Sequence, residues 1–396
     1  MAGASLLTTA CGGGGESGGS GGGAASGGMV TIPTTPAPSQ PSTPTPTATP
    51  TPAPITGRTQ FGVNYPDLFH RFITYAAPFN PEEQLKTLAD RNIKIVRFVS
   101  CPQWARDWNL WNADPDRYLA ALDRIFAAGD KYGVKLVPIL MSAPYGLSDL
   151  KGEAFSAWGN PASATRRAFD AFIPMMVRRF RSCGSLYMWE KSNEMNAFAN
   201  IPTGYTYYPP VDTAALNAAR TTADNYTDRD IMNVNTRFAE LVRMEDPKRP
   251  FESGSTLPNA FETRRSMGKS GRDDRNDFRV ALAKTLAGGS SVLSVHLYDD
   301  ICKQRFDDGS NFTEVAGICR SVADANSAKL FVGEFGVPKG DDTATDRARF
   351  QRMIGEIKDG GADYACAWAY DYKYSNWNIS APDRSWMIDD IAAANG

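Results

Sequence analysis

From residue 58 onward the chain alternates between two patterns. Short, nearly continuous apolar runs occur at 60–64 (QFGVN), 94–100 (KIVRFVS), 134–141 (VKLVPILM) and 185–190 (SLYMWE), then at 250–255 (PFESGS), 291–298 (SVLSVHLY), 329–335 (KLFVGEF) and 364–370 (YACAWAY). Between them, apolar residues recur at helical spacing. The stretch 115–133 puts Tyr118, Leu119, Leu122, Ile125 and Phe126 on one stripe of a helix. Similar patterns predict helices near 81–91, 162–182, 228–245, 274–287, 311–326 and 343–358.

Strand followed by helix, repeated, implies parallel pairing. Runs that are apolar on both faces suit strands covered on the outside by helices. Eight such units predict an α/β fold, a (β/α)8 barrel over 58–396. An open doubly wound sheet is the alternative, and it would favour a glycine-rich phosphate turn after an early strand. No such turn stands in a strand-to-helix context.

The first 57 residues read differently. The short apolar run before Cys11 (Leu7, Thr8, Thr9, Ala10) fits a bacterial lipoprotein cleavage site, with Cys11 as the lipidated residue. Residues 12–57 are Gly/Ser-rich and then Pro/Thr-rich, a flexible coil leading into an extended spacer. The segments 1–11 and 12–57 together read as a tether for a secreted or surface-anchored, extracytoplasmic domain. Membrane contact is expected only through that lipid, since no run is long and apolar enough to span a bilayer.

The net charge of −2 argues against a nucleic-acid partner. Only two histidines are present, His70 and His296, so a histidine-rich metal site is not expected. No metal and no organic cofactor are called for, and a monomer is expected. Cys302 and Cys319 lie in one loop-rich segment, where oxidation could pair them as a disulfide; the cysteine spacing fits no zinc signature.

In a (β/α)8 barrel, chemistry sits at the C-terminal ends of the strands. That is where polar residues interrupt the apolar runs. Arg97 is on the second strand, Asn193-Glu194 follow the fourth, His296 and Tyr298 end the sixth, Glu334 ends the seventh and Trp368 is on the eighth. Two carboxylates on strands four and seven face one another across a closed barrel of eight. Such a pair suits glycoside hydrolysis, in which one group protonates the leaving oxygen and the other attacks or activates water.

The ordered set of motifs resembles the clan A glycoside hydrolases, closest to the family 5 cellulase and mannanase type. It consists of Arg97 in "VRF", "SNE" at 192–194, "HLY" at 296–298, "GEFG" at 333–336 and "AWAY" at 367–370. The resemblance spans 58–396. It implies Glu194 as acid/base, with a carboxyl pKa raised by burial and by its neighbour. It implies Glu334 as nucleophile, with a pKa lowered by Arg97 and Tyr298. Asn193 would bond the sugar 2-hydroxyl, His296 would contact the sugar or orient Glu194, and Trp368 would be a stacking floor. Glu190, four residues before Glu194, would brace the site from inside the barrel, paired with Arg97 or with tyrosine and backbone donors. Residues 138–146 lack the histidine that family 5 cellulases usually carry after strand three, which weakens the cellulase assignment and leaves the catalytic pair untouched.

Aromatic residues concentrate in the loops after the strands. Trp104, Trp108, Tyr145 and Trp377 are candidates for stacking on sugar rings. The leading expectation is a retaining enzyme cleaving within a β-linked polysaccharide of the mannan or β-glucan type. The competing expectations are an exo-acting β-glycosidase of the same clan and a lipoprotein that binds glycans without cutting them.

Overall fold

The computed structural model describes residues 59–213, 216–340, 342–373 and 375–396. Cys11 and the segments 1–11 and 12–57 lie outside the described residues.

Eight parallel strands form one sheet: β1 (Gln60–Asn64), β2 (Ile95–Val99), β3 (Lys135–Met141), β4 (Trp189–Ser192), β5 (Phe251–Glu252), β6 (Val292–Leu297), β7 (Lys329–Phe335) and β8 (Tyr364–Ala367). The hydrogen-bonded order is β5-β4-β3-β2-β1-β8-β7-β6. The ends of that order meet at β5 and β6, where the Ser290 hydroxyl donates to Phe251 O at 2.7 Å. The sheet is thus a nearly closed (β/α)8 barrel rather than an open doubly wound sheet.

The covering helices start where sequence chemistry lets them. Asp114, Ser163, Thr227, Asp274, Asn311 and Asp342 each accept a first-turn N–H at a helix N-cap. The helix Pro115–Tyr132 stops at Gly133, whose φ of 67° suits a residue without a side chain. At the other end of the chain, the helix Trp386–Asn395 closes onto β1. There the Asn395 amide donates to Phe61 O and accepts from Phe61 N–H, at 2.9 and 2.8 Å.

Three strands differ by more than a residue at an end from their sequence ranges. The fourth pairs at Ser185–Tyr187 with Leu136 and resumes as Trp189–Ser192, so Lys191 and Ser192 belong to it. The fifth is two residues long because Gly254, at φ 65°, turns the chain away. The eighth ends at Ala367. The aromatic stretch after β2 is largely helical (Ala105–Ala113), and short helices at Asp67–Tyr75 and Pro144–Leu150 complete the wall. Cys302 and Cys319 are both buried as free thiols, which corrects the expected disulfide. They come from separate helices, Asp299–Lys303 and Phe312–Ala325, that pack into the hydrophobic core.

Side chains of alternate residues fill the barrel interior. Ile95, Val137, Met188, Val292 and Phe331 belong to a separate apolar cluster. Two residues further along β2, β4 and β6 come Arg97, Glu190 and Ser294, and the interior becomes polar toward the strand ends. Pairing register sets the neighbours there: Asn64 lies beside Arg97, Glu190 beside Glu252, and His296 beside Glu334.

Candidate active site

Arg97 is the hub, and its guanidinium is fully enclosed. Nε donates to Glu190 Oε2 at 2.7 Å and Nη2 to Glu190 Oε1 at 2.5 Å, a bidentate pair. Nη1 reaches Asn64 Oδ1 at 2.7 Å and Glu334 Oε1 at 3.0 Å, and Nη2 also reaches Asn193 Oδ1 at 2.6 Å. All five N–H groups are therefore used, as burial of the charge requires. Asn64 is fixed in turn, its amide donating to Gly333 O and Cys366 O at 2.9 and 3.1 Å.

Glu334 at the end of β7 is held on both oxygens. Arg97 takes Oε1, and the Tyr298 hydroxyl donates to Oε2 at 2.9 Å. Glu194 stands opposite, just past β4. Its backbone is at φ 51°, a left-handed conformation that is unfavourable for a residue with a side chain. Its N–H is bonded to Gly254 O at 2.7 Å, which holds that conformation in place. His296 Nδ1 lies 2.7 Å from Glu194 Oε1 and 3.4 Å from Glu334 Oε2. Two carboxyl oxygens around one nitrogen call for an N–H there. Burial drives the His296 pKa down to about 4, so the ring is neutral at neutral pH.

Burial raises both acids above the usual carboxylate range. For Glu334 this corrects the expectation of a lowered pKa. The desolvation of a nearly enclosed carboxyl, with the Glu194 carboxyl adding to it, outweighs His296, Arg97 and the Tyr298 hydroxyl, which all pull the other way.

One oxygen of Glu194, one of Glu334 and an imidazole nitrogen of His296 lie within 4.8 Å of one another. Such a trio could ligate a cation, but the donors already on Glu334 occupy both of its oxygens and one of them is cationic.

The structure brings together Arg97, Glu190, Asn193, Glu194, His296, Tyr298 and Glu334. Trp368 follows β8, half-buried, with its ring 5.8 Å from that of Tyr372. Trp104 and Tyr145 are half-buried neighbours, with rings 5.6 Å apart. Two of the stacking candidates are corrected. Trp108 is buried in the helix Ala105–Ala113 against Phe172, because its spacing from Trp111 puts both on the core face. Trp377 is buried and packs edge-on against Tyr298 at 5.4 Å, so it supports the site from behind.

Sequence reasoning missed Asn64 and Glu252. The signal for Asn64 was present, since it is a polar residue closing an apolar strand, like those that were found. Glu252 was hidden in a run that reads as a weak strand.

The (β/α)8 barrel is a fold shared with solved glycoside hydrolases. Among solved structures, the chain is similar to the endo-1,4-β-mannanase from Rhizomucor miehei, at TM-score 0.60 and 15% identity over 85% of this chain and 95% of that one. It is similar to the endo-β-1,4-mannanase from Thermotoga petrophila, at 0.56 and 12% over 85% and 77%. A family 5 enzyme from Streptomyces cattleya in complex with GlcNAc gives 0.56 and 14% over 86% and 80%. At such identities the likeness establishes the fold. No family model and no curated relative matches the sequence.

Proposed function

We propose that the protein is a retaining β-glycoside hydrolase acting on a β-linked polysaccharide or oligosaccharide of the mannan or β-glucan type. The observation that carries this reading is the Glu194–Glu334 pair. Oxygens of the two carboxyls lie within 4.8 Å, against the roughly 5–5.5 Å between carboxyl groups in retaining enzymes and about 6.5–9.5 Å in inverting ones.

Glu334 is the nucleophile. Arg97 and Tyr298 hold its two oxygens and favour the ionised form it needs for attack on the anomeric carbon. Glu194 is the acid: burial raises its pKa, and it gives its proton to the leaving oxygen. His296 Nδ1–H orients Glu194. Once Glu334 becomes a glycosyl ester its charge is gone, and Glu194 loses a proton more readily. It can then act as base on the incoming water. Asn193, whose amide oxygen is engaged by Arg97, turns its NH2 toward the sugar 2-hydroxyl. Trp368 is the floor under the sugar at the cleavage point. The mannanase and mannosidase names among similar structures make mannan the first substrate to try.

The experiment is a screen of the domain on mannan, β-glucan, xylan and aryl β-glycosides, followed by Glu334→Ala. The variant should lose turnover. Azide should then restore it as a glycosyl azide of inverted configuration. Absence of both effects overturns the nucleophile assignment.

The exo-acting reading is supported by the described residues of the segment after β4, 195–213 and 216–227. Arg220 ties it to Asp149 on the wall after β3 by a buried bidentate pair at 2.7 and 2.8 Å. A wall fixed in this way would close one end of a cleft. Product size over time decides, since long fragments mean internal cleavage and monosaccharide from the start means exo action.

A further inference from the structure

Glu252, the last residue of β5, has no part in the reaction above, yet its side chain is fully buried inside the barrel. Register sets it beside Glu190 on β4. Its Oε2 accepts the Gly254 N–H. Its Oε1 is buried and has no donor to accept from.

The charges around it are few. The Glu190 carboxylate faces it from β4. Arg97 reaches in from β2, but its five N–H groups are spent on Asn64, Asn193, Glu190 and Glu334. Lys191 is adjacent on β4, yet its ammonium bonds Asn235 Oδ1 at 2.5 Å and lies near Met195 Sδ at 3.6 Å. The Cys366 thiol of β8, kept protonated by burial, completes the set that feels its charge. An ionised Glu252 would make three buried carboxylates around one guanidinium.

Resting on the glycosidase reading, we infer that Glu252 is a positioning residue that stands as a neutral acid, its Oε1–H donating to the Glu190 carboxylate while Oε2 grips the Gly254 N–H. Burial and the facing Glu190 carboxylate both hold its proton on, well above the usual carboxylate range.

This neutral acid connects two parts of the site. Through Gly254, whose carbonyl accepts the Glu194 N–H at 2.7 Å, it fixes the left-handed backbone that aims the acid/base. Through Glu190, it shares the negative charge that would otherwise draw Arg97 away from Glu334. A carboxylate given a second donor competes less strongly for its guanidinium, which leaves Nη1 for the nucleophile.

The test uses the full chain with Glu252→Gln and Glu252→Leu. Glutamine reproduces the neutral acid, with its oxygen on the Gly254 N–H and its NH2 on Glu190. It should keep kcat/KM on an aryl β-glycoside within about threefold and leave the acid limb of the pH profile in place. The infrared difference spectrum at neutral pH, wild type minus Glu252→Gln, should contain a protonated-carboxyl C=O band. Leucine removes both bonds. It should lower kcat by about tenfold or more with little change in KM, and move the acid limb to higher pH as Glu334 loses its share of Arg97.

If Glu252 were ionised, the Gln variant would shift the acid limb to lower pH and the band would be absent; either result overturns the inference. Should the Leu variant fail to fold, the Gln profile and the band still decide. The band does not depend on any activity. Its presence in a protein inert toward all glycosides would overturn the functional reading alone, and its absence in an active glycosidase would overturn this inference alone.

Discussion

The hydroxyl of Tyr298 lies 2.9 Å from Glu334 Oε2, on the carboxylate oxygen that Arg97 does not hold. Burial keeps that hydroxyl protonated far beyond its ordinary range, so it is a donor at every working pH. Trp377 packs edge-on behind the ring and fixes its direction. A buried carboxyl that must ionise needs such donors, because desolvation alone would leave it protonated.

Tyr298→Phe removes one of them while keeping the ring. The Glu334 pKa should rise, and the acid limb of kcat/KM should move to higher pH. At neutral pH the rate should fall by roughly 10- to 100-fold, the scale of one lost charge-assisted hydrogen bond. A pH–rate profile on an aryl β-glycoside measures both effects.

Glu190 and Glu194 should separate by leaving group. Glu194→Gln should lose most activity on a substrate whose departing oxygen needs a proton and much less on an activated nitrophenyl glycoside. Glu190→Gln should be insensitive to the leaving group. It should instead lower stability by about 3–5 kcal/mol, because one partner of a buried pair is removed. Rates on the two substrates and a denaturant melt distinguish the residues.

Gly254→Ala tests the turn after β5. At φ 65°, an added Cβ would lie 1.5 Å from Ser192 O and 2.6 Å from Glu190 Oε1. Backbone strain and overlap together should cost roughly 2–5 kcal/mol. Activity should fall further than stability, since the Gly254 carbonyl holds the Glu194 N–H. Thermal melts beside kcat measure the two.

Lys191 is buried, and its pKa is lowered to about 7 by desolvation. Unfolded, it binds its proton up to about pH 10.4. Stability is therefore lost as pH falls from that value to about 7, and the penalty is complete below it. Lys191→Met should raise stability by roughly 1–3 kcal/mol at pH 6, net of the unpaired Asn235 oxygen, and by less at pH 10. Denaturant melts at the two pH values give the comparison.

The barrel was legible because its strands are covered on both faces and leave unbroken apolar runs. The polar residues at their ends stood out for the same reason. Glu190 and Arg97 could be suspected of pairing because both interrupt such runs. Glu252 could not, since only the pairing register between β4 and β5 reveals its neighbour. The aromatic residues after β2 were misjudged in part. Trp104 and Trp108 look alike as a sequence, and only the helix that starts between them separates a half-exposed ring from a core one. The raised pKa of Glu334 was also illegible, because depth of burial is a property of the folded whole.

Four carboxyl groups, on Glu190, Glu194, Glu252 and Glu334, gather around the single guanidinium of Arg97, and burial keeps His296 neutral. The mouth of the barrel is thus rich in acidic groups and poor in cations. Such a mouth should discriminate by charge before it discriminates by hydroxyl stereochemistry. Uronic acids and sulfated sugars would meet repulsion at the cleavage point, while basic iminosugars, cationic like the developing oxocarbenium ion, would be drawn in.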